Sequence, residues 1–385
     1  MKKVFTLLLA LVMALGLTTV AWGAPELDSY DSDTGVAEVY GLTLTPTPGD
    51  PDHHGIITVS DKDGLLKLTN LVNDWVALFS NGSGTDYSNY APTNGGKGTD
   101  YYYIWEWGIV LTADIDLGGS TIDPINLGKK GFFDGQGHTI KNAVIVTDST
   151  TENEAGLFNG AQCGFTNLKL DNIQVTGSNM GNSCVGVLSG SCNKIISNVT
   201  VTNSSATNGK YSGGIVGYGY TNITNCTVTN CIVKGGYKLG GLIGYICAES
   251  GSANGNVTGN TLTDCTVDGI GGGVYAGGKT EYKVGKLVGN YNANGDCGNN
   301  AITDMVTSAT GMIGEVEDNI TVNESSNTES VTPPTPTPVY PYIPPVIEDT
   351  KVDSAQTFDG GIALYVGVTA AAAFGSVALG RKRED

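Results

Sequence analysis

An aromatic run in the first third of the chain has residue types and spacing that suit ligand binding. Residues 101–107 have the sequence Tyr-Tyr-Tyr-Ile-Trp-Glu-Trp. Alternate side chains of a β-strand share a face. That face would carry Tyr101, Tyr103, Trp105 and Trp107. Flat rings in a row suit the binding of sugar rings. The alternative, which aromatic side chains favour in general, is that the four rings are buried in the core.

The carboxylates offer a second kind of chemistry, because paired Asp or Glu side chains can hydrolyse glycosidic bonds. The candidates are Asp134, Asp171 and Asp264. Asp134 lies in a turn motif and Asp264 occupies the Asn position of a repeat, so both have a structural explanation. The chain also has none of the common hydrolase, metalloprotease or dinucleotide-binding motifs. We therefore expect neither catalysis nor a cofactor.

Metal binding is a third candidate chemistry, with weak support from the sequence. The groups to consider are Asp28, Asp31 and Asp33, then Asp61 and Asp63, then His53 and His54. Neither aspartate cluster continues into a full calcium-binding loop that ends in Glu. Two adjacent histidines in a proline-containing segment are not a typical metal site. We expect no bound metal.

The chain has eight cysteines: Cys163, Cys184, Cys192, Cys226, Cys231, Cys247, Cys265 and Cys297. None forms a Cys-x-x-Cys pair, which argues against a zinc ribbon or a redox motif. Cys226 and Cys265 are predicted to share the inward repeat position of Leu168 and Val199, as small buried hydrophobic side chains, and Cys231 that of Ile173. A disulfide between Cys226 and Cys265 on adjacent coils is the alternative.

The charge distribution argues against nucleic-acid binding. The formal net charge is −18, and the only two arginines, Arg381 and Arg383, lie in the last five residues. A nucleic-acid-binding surface needs basic side chains that neutralise phosphates. The scarcity of arginine also argues against enzymes that clamp phosphate or carboxylate substrates with guanidinium groups.

Both ends of the chain have the composition of targeting segments. Residues 1–23 combine two lysines, an apolar run and small residues near their end, which predicts a secretory signal peptide. Residues 360–380 carry no charge and precede the basic tail 381–385, which predicts a transmembrane helix with a cytoplasmic end. Residues 24–56 are predicted to be flexible, and residues 323–359 to form a Pro/Thr-rich stalk.

The middle of the chain is an internal repeat. A glycine-bounded motif recurs at intervals of 25, 30, 28, 27 and 44 residues, beginning at Gly131, Gly156, Gly186, Gly214, Gly241 and Gly285. A second motif begins with asparagine at positions Asn142, Asn167, Asn198 and Asn225. Asparagine tolerates the left-handed backbone of a tight corner. Because stacked coils place equivalent corners above one another, these four residues are predicted to form one stack.

The predicted fold class is all-β, a right-handed parallel β-helix (β-solenoid) of about six coils over residues 111–322. Units of 25 to 30 residues with short β-rich runs have the length of one such coil. Residues 57–110 are predicted to hold an N-terminal capping helix and the aromatic entry strand. In the helix, Leu65 and Leu68 follow the polar residue Asp61 at helical spacing.

Two copies of a Gly-Gly-x-x-Gly-Tyr motif, Gly213 to Tyr218 and Gly240 to Tyr245, resemble the GLUG repeat of bacterial surface proteins. The segment from Leu111 to Ile140 is similar to the first coils of pectate-lyase-like β-helices. The resemblance covers residues 57–322 and implies an adhesin-like surface protein. In that family the repeats also occur as non-catalytic parts of larger secreted enzymes.

The order of signal peptide, repeats, stalk, span and basic tail resembles Gram-positive cell-surface proteins. The expected sortase motif is degenerate over residues 354–358, so a plain membrane anchor is expected. We expect a non-catalytic adhesin or display protein on the extracellular face of the cell membrane or cell wall. Its partners would be a glycan or another host or microbial surface ligand, and the membrane through residues 360–380. The alternatives are a β-helix polysaccharide lyase or hydrolase, and a passive spacer.

Overall fold

The computed structural model describes residues 27–30, 36–46, 55–79, 107–127, 131–147, 153–160, 163–178, 180, 183–247, 255–269, 282–318 and 320–331. Strands β1 (Leu27–Tyr30), β2 (Ala37–Val39), β3 (Leu42–Pro46) and β4 (Gly55–Val59) come first, followed by helix α1 (Lys62–Phe79). The remaining strands are β5 (Gly108–Leu111), β6 (Ile115–Thr121), β7 (Ile125–Asn126), β8 (Phe132–Asp134), β9 (Thr139–Val146), β10 (Glu154–Ala155), β11 (Phe158–Asn159), β12 (Gly164–Thr166), β13 (Lys169–Thr176), β14 (Cys184–Gly186), β15 (Ser189–Cys192), β16 (Ile196–Ser197), β17 (Thr200–Thr202), β18 (Ser205–Gly213), β19 (Val216–Gly219), β20 (Ile223–Thr224), β21 (Thr227–Thr229), β22 (Ile232–Gly240), β23 (Ile243–Cys247), β24 (Val257–Thr258), β25 (Thr261–Thr263), β26 (Thr266–Gly269), β27 (Lys283–Gly285), β28 (Val288–Asn292), β29 (Gly295–Asp296), β30 (Ala301–Thr303), β31 (Val306–Thr307), β32 (Val322–Asn323) and β33 (Thr328–Ser330).

These strands wind into a parallel β-solenoid of about six turns, as the repeat predicted. Each turn adds one strand to a first sheet (β5-β8-β12-β16-β20-β24) and one to a third sheet (β7-β11-β15-β19-β23-β28). Between them, longer segments such as β13, β18 and β22 build a second, 15-stranded sheet. Strands of two to nine residues cannot bury a face alone, so stacking between turns supplies the core.

The interior is filled by apolar side chains that repeat at the same position in successive turns. Leu170, Val201, Val228 and Leu262 pair in register and are fully buried. In the early turns, the rings of three buried phenylalanines pack together with centroids 5.0 to 5.7 Å apart: Phe133, Phe158 and Phe165. Burying such a side chain contributes roughly 1.5–3 kcal/mol.

The amphipathic helix predicted after Asp61 is present as α1. Asp61 caps it, because its carboxylate accepts a hydrogen bond of 2.8 Å from the backbone N–H of Gly64. Leu65, Leu68 and Leu71 are buried, as their spacing predicted. The Thr69 hydroxyl accepts a hydrogen bond of 2.9 Å from the backbone N–H of Asn126 in the third sheet. The helix therefore packs on the first turn of the solenoid. That it closes the N-terminal end of the solenoid stays a prediction.

The described part of residues 24–56, a segment predicted to be flexible, forms strands, and its flexibility stays a prediction. β1, β2, β3 and β4 form an antiparallel meander that continues the first sheet. Tyr40 and Gly41 both have positive φ, 56° and 71°, as a two-residue type I′ hairpin turn requires. Leu42 and Leu44 alternate with polar residues and are fully buried. The alternating buried leucines and the two-residue turn favour a hairpin here, despite the Pro and Asp residues around it.

The predicted boundary between repeats and stalk at residue 323 is also too early. β33 pairs in parallel with β30, and β32 pairs with β29. The three side chains of β33 are exposed, so this strand carries no apolar pattern that the sequence could reveal. Besides backbone pairing, it is held by an ion pair between Glu329 and Lys286 and by a hydrogen bond between Ser330 and Thr303.

Asparagines form two ladders along the corners of the solenoid rather than the single stack that was predicted. The first ladder contains Asn167, Asn198 and Asn225, and the second contains Asn142, Asn172, Asn203 and Asn230; all have φ between 51° and 60°. Side-chain amides bond along the stack, with the Asn230 amide donating to the Asn203 oxygen at 2.8 Å. Asn142 belongs to the second ladder because Ile173 pairs with Ala143, which places Asn142 beside Asn172.

Replacing Asn230 by alanine should lower the free energy of unfolding by about 1–2 kcal/mol, because alanine lacks the polar side chain that lets asparagine tolerate the left-handed backbone. Asn230→Gly, which loses the same side-chain hydrogen bond but tolerates φ of 51°, should cost less. Urea denaturation of the two variants measures the difference. An Asn230→Gly variant that is less stable than Asn230→Ala would contradict the conformational explanation.

Candidate functional site

The structure describes one residue of the predicted aromatic binding face, Trp107. Trp107 is fully buried, and its indole packs so tightly on Gly55 that a Cβ there would overlap the ring. Trp107 thus belongs to the core, in line with the alternative, and offers no face to a ligand. Tyr101, Tyr103 and Trp105 lie outside the described residues, so their role stays a prediction.

A different aromatic cluster lies where the second sheet meets the third sheet. We call it the tyrosine groove, formed by Tyr211, Tyr218, Tyr220, Tyr237 and Tyr245. The ring centroids of Tyr211, Tyr218 and Tyr245 are 5.2 to 6.0 Å apart. All five side chains are half-buried, so part of each ring faces solvent. These rings form a continuous, partly exposed aromatic surface.

The glycines of the repeat motif explain why these rings meet. A Cβ on Gly244 would lie 2.6 Å from the backbone nitrogen of Ser212 and 2.7 Å from the Lys238 carbonyl oxygen. The backbones of the second and third sheets therefore touch at this turn. Side chains on either side of the turn, such as Tyr211 and Tyr218, therefore stack on each other, with ring centroids 6.0 Å apart.

Parallel register then stacks the motif from turn to turn. Tyr218 pairs with Tyr245, and Tyr245 pairs with Asn290 of the next turn. On the facing strands, Tyr211 pairs with Lys238, which pairs with Lys283. The groove thus runs along the stack, with tyrosines in two turns and polar side chains in the next.

The Lys238 ammonium lies at the base of the groove. Its nitrogen is 3.7 Å from the ring centroid of Tyr245, a cation–π contact. It donates hydrogen bonds to Asn290 Oδ1 at 2.9 Å and to Glu317 Oε1 at 3.3 Å. Lys238 is only 5% exposed. Burial lowers the pKa of its ammonium, and the nearby Glu317 carboxylate opposes that shift.

The hydroxyls of Tyr211, Tyr218 and Tyr245 stay protonated at neutral pH. Burial raises the pKa of Tyr211 to about 12, and it also raises the pKa of Tyr218 and of Tyr245. Asn292 donates a hydrogen bond of 3.0 Å to the Tyr245 hydroxyl, and the Tyr218 hydroxyl donates one of 3.3 Å to Tyr220. Neutral hydroxyls can both donate and accept, which suits hydroxyl-bearing ligands.

The three aspartates considered for catalysis are held by neighbouring polar groups. Asp134 accepts hydrogen bonds from the backbone and side chain of Gln136, at 2.9 and 2.6 Å. Asp171 accepts from the Thr202 hydroxyl and from the Asn203 amide, both at 2.7 Å. Asp264 occupies the second corner ladder with a φ of 54°. Within the described ranges, no group of three or more His, Cys, Asp or Glu side chains could hold a metal ion.

The eight cysteines are free, and all but the half-buried Cys184 are buried. The predicted register of Cys265 is wrong, because Ile232 pairs with Thr266 and this places Cys265 beside Cys231. Asn260, and not Cys265, follows Cys226 in its column, since Thr227 pairs with Thr261. The predicted alternative of a Cys226–Cys265 disulfide therefore has no support in the register.

The buried thiols should be unreactive in the folded chain. Burial raises the pKa of Cys226 to about 11 and that of Cys231 to about 12. At about pH 8 no more than roughly one thiol in a thousand is then ionised, and the thiolate is the nucleophile. Alkylation followed by peptide mapping should label Cys226 and Cys231 only after unfolding. Labelling of the native chain at the rate of a small thiol would contradict their burial.

In the part of the chain that the structure describes, no helix is both long and apolar enough to span a membrane. The predicted signal peptide (1–23) and span (360–380) lie outside the described residues.

Sequence reasoning missed the tyrosine groove, although one signal was present. Tyr218 and Tyr245 each follow the last glycine of the Gly-Gly-x-x-Gly motif in consecutive copies. A residue type that recurs at one repeat position is placed at one point of the stack. Tyr211 and Lys238 carry no such signal, since they differ in type and only the strand register brings them together.

Comparisons with known proteins assign the chain to no family. No protein-family model matches the chain, and no curated protein matches it. Among solved structures, the chain is similar to a Bacteroides ovatus protein provisionally described as an immunoglobulin A1 protease. The two share 14% identity, with a TM-score of 0.39, over 74% of this chain and 86% of that one. At these values the likeness supports no functional inference.

Proposed function

We propose that the chain is a non-catalytic, adhesin-like surface protein that binds glycans through the tyrosine groove. The observation that carries this proposal is the cluster of three half-buried rings, Tyr211, Tyr218 and Tyr245, with centroids within 6.0 Å of one another. Aromatic rings combined with a few fixed polar groups are typical of ligand sites. A sugar ring offers an apolar face to such rings and hydroxyls to their edges.

The charges near the groove favour a neutral ligand. Three lysines and three glutamates lie around it: Lys210, Lys238, Lys283, Glu154, Glu315 and Glu317. Lys238 pairs with Glu317 at 3.3 Å, and Lys283 pairs with Glu315 at 3.0 Å. Because the chain as a whole carries a net charge of −18, acidic glycans would be repelled at long range. We therefore expect binding of neutral sugars over uronate-containing or sialylated ones.

The surface location is part of the same proposal. It rests on the predicted signal peptide, stalk and span, and on the resemblance of the Gly-Gly-x-x-Gly-Tyr copies to the GLUG repeat. Mass spectrometry of the cell-attached protein tests the anchor. Recovery of peptides beyond Thr357 supports a membrane anchor, and their loss at that point would indicate sortase processing instead.

A glycan array probed with the full chain tests the function, with the bound sugars then assayed for cleavage. The proposal predicts binding to neutral glycans with no release of reducing ends. Release of product from pectin or a related polymer, without stable binding, would contradict it and favour the polysaccharide-degrading alternative. Silence in both assays would favour the passive spacer.

A further inference from the structure

Lys238 and Asn290 form a buried pair whose surroundings are those of a reactive site. Lys238 is 5% exposed, and Asn290 is fully buried. The amine of Lys238 lies 2.9 Å from the side-chain oxygen of Asn290, so the carboxamide carbon is one bond beyond the contacted atom. The two residues are 52 positions apart in sequence and lie on different turns.

Two carboxylates complete this cluster. Glu317 Oε1 accepts a hydrogen bond from the Lys238 amine at 3.3 Å. Glu315 Oε2 accepts one from the Asn290 amide nitrogen at 2.7 Å. The first carboxylate is therefore placed to take a proton from the amine, and the second to exchange protons with the amide nitrogen.

Burial around the Lys238 amine restricts water and disfavours its positive charge, whereas the Tyr245 ring and Glu317 favour that charge. The ring of Tyr245 covers the Lys238 nitrogen at 3.7 Å from its centroid, and the rings of Tyr237 and Tyr211 lie at 5.4 and 5.7 Å. Burial lowers the pKa of the ammonium, which increases the fraction present as a nucleophile. Other charged groups that face this amine are Glu315, which favours the ammonium, and Lys210, which disfavours it.

We propose that Lys238 and Asn290 join in an intramolecular isopeptide bond. The Lys238 ammonium first loses a proton to Glu317, and the neutral nitrogen attacks Cγ of Asn290. The attacking nitrogen then gives up a second proton, which reaches the Asn290 amide nitrogen through Glu315; the Cγ–Nδ2 bond breaks, and ammonia leaves. One C–N bond forms and one breaks, nothing is oxidised or reduced, and no co-reactant is needed.

The bond would act as a covalent clamp inside the solenoid. It would join β22 of the second sheet to β28 of the third sheet in the following turn, across the base of the groove. A cross-link that closes a long loop restricts the unfolded chain, as a disulfide does. This clamp is independent of glycan binding, so it would resist unfolding even if the groove had no sugar ligand.

Intact-mass measurement of the full chain, followed by tryptic peptide mapping after denaturation, tests the bond. The proposal predicts a mass lower than that of the amino-acid sequence by one ammonia. It also predicts no cleavage after Lys238 and a branched peptide that contains both Lys238 and Asn290. A full mass with normal cleavage after Lys238 would overturn the proposal. Loss of water with a Lys–Glu branch, or ammonia loss mapped to an Asn-Gly site, would overturn it equally.

Matched variants test the roles of the carboxylates. Glu317→Gln keeps the shape of the side chain but cannot take the proton, so it should restore the full mass and lower the melting temperature. Lys234→Met removes an exposed lysine of the same strand that lies outside the cluster and should leave the cross-link complete. A complete cross-link in Glu317→Gln would overturn the assigned proton acceptor. If a variant fails to fold, the mass of the unmodified chain still decides whether the bond is present.

Discussion

Gly244→Ala should be one of the most destabilising single substitutions in the chain, with an expected loss of about 3–5 kcal/mol of unfolding free energy. The added Cβ would lie 2.6 Å from the Ser212 nitrogen and 2.7 Å from the Gly217 and Lys238 carbonyl oxygens. These are backbone atoms of paired strands, which cannot rotate away. The second and third sheets would have to separate at the turn that forms the groove.

Gly311→Ala is the matched control, since its nearest neighbour would be the Ile313 carbonyl oxygen at 3.3 Å. Its cost should stay within about 1 kcal/mol. Urea denaturation of both variants, followed by circular dichroism, gives the comparison. If Gly244→Ala proves as stable as Gly311→Ala, the close approach of the two sheets is wrong, and with it the shape of the groove.

Tyr245→Ala should weaken binding to any neutral glycan found for the chain by roughly 10- to 100-fold, which corresponds to about 1–3 kcal/mol. Its ring lies at the centre of the groove, 5.2 Å from Tyr211 and 5.4 Å from Tyr218. Tyr245→Phe keeps the ring and loses only the hydrogen bond from Asn292, so its effect should be about 1 kcal/mol or less. Isothermal titration calorimetry separates these values.

Tyr40→Asn is the control for a general loss of tyrosine surface, because Tyr40 lies in the β2–β3 turn near the N-terminal end of the first sheet and asparagine tolerates its φ of 56°. Its affinity should equal that of the unmodified chain. Equal weakening by Tyr245→Ala and Tyr40→Asn would mean that the substitutions act through stability. An unchanged affinity in Tyr245→Ala would move the binding site elsewhere.

The periodicity of the sequence was sufficient to predict the parallel β-solenoid, because each repeat must place its apolar residues at the same inward position. It was not sufficient to predict register within a repeat. Asn142 and Asn167 both begin an Asn motif, yet they lie in different corner ladders because each long turn has two left-handed corners. For the same reason, Cys265 was assigned to the first corner of its turn, although it lies at the second.

The candidate site was harder to predict than the fold. The run that ends at Trp107 had the most distinctive composition, but its described end is core, since a large ring beside Gly55 fills the space under the first sheet. The groove depends on contacts between strands far apart in sequence. Lys238 and Asn290 meet only because the second and third sheets touch. No local sequence pattern in either segment predicts this contact.

The most direct test of glycan binding in the tyrosine groove is an NMR titration of the full chain, labelled on its tyrosine rings, with a neutral glycan selected from the array. The proposal predicts that the ring signals of Tyr211, Tyr218 and Tyr245 shift together with one dissociation constant. The signals of Tyr40 and of the buried Tyr291 should stay in place. Shifts confined to tyrosines outside the groove, or no shift at saturating glycan, would contradict the assignment of the groove as the binding site.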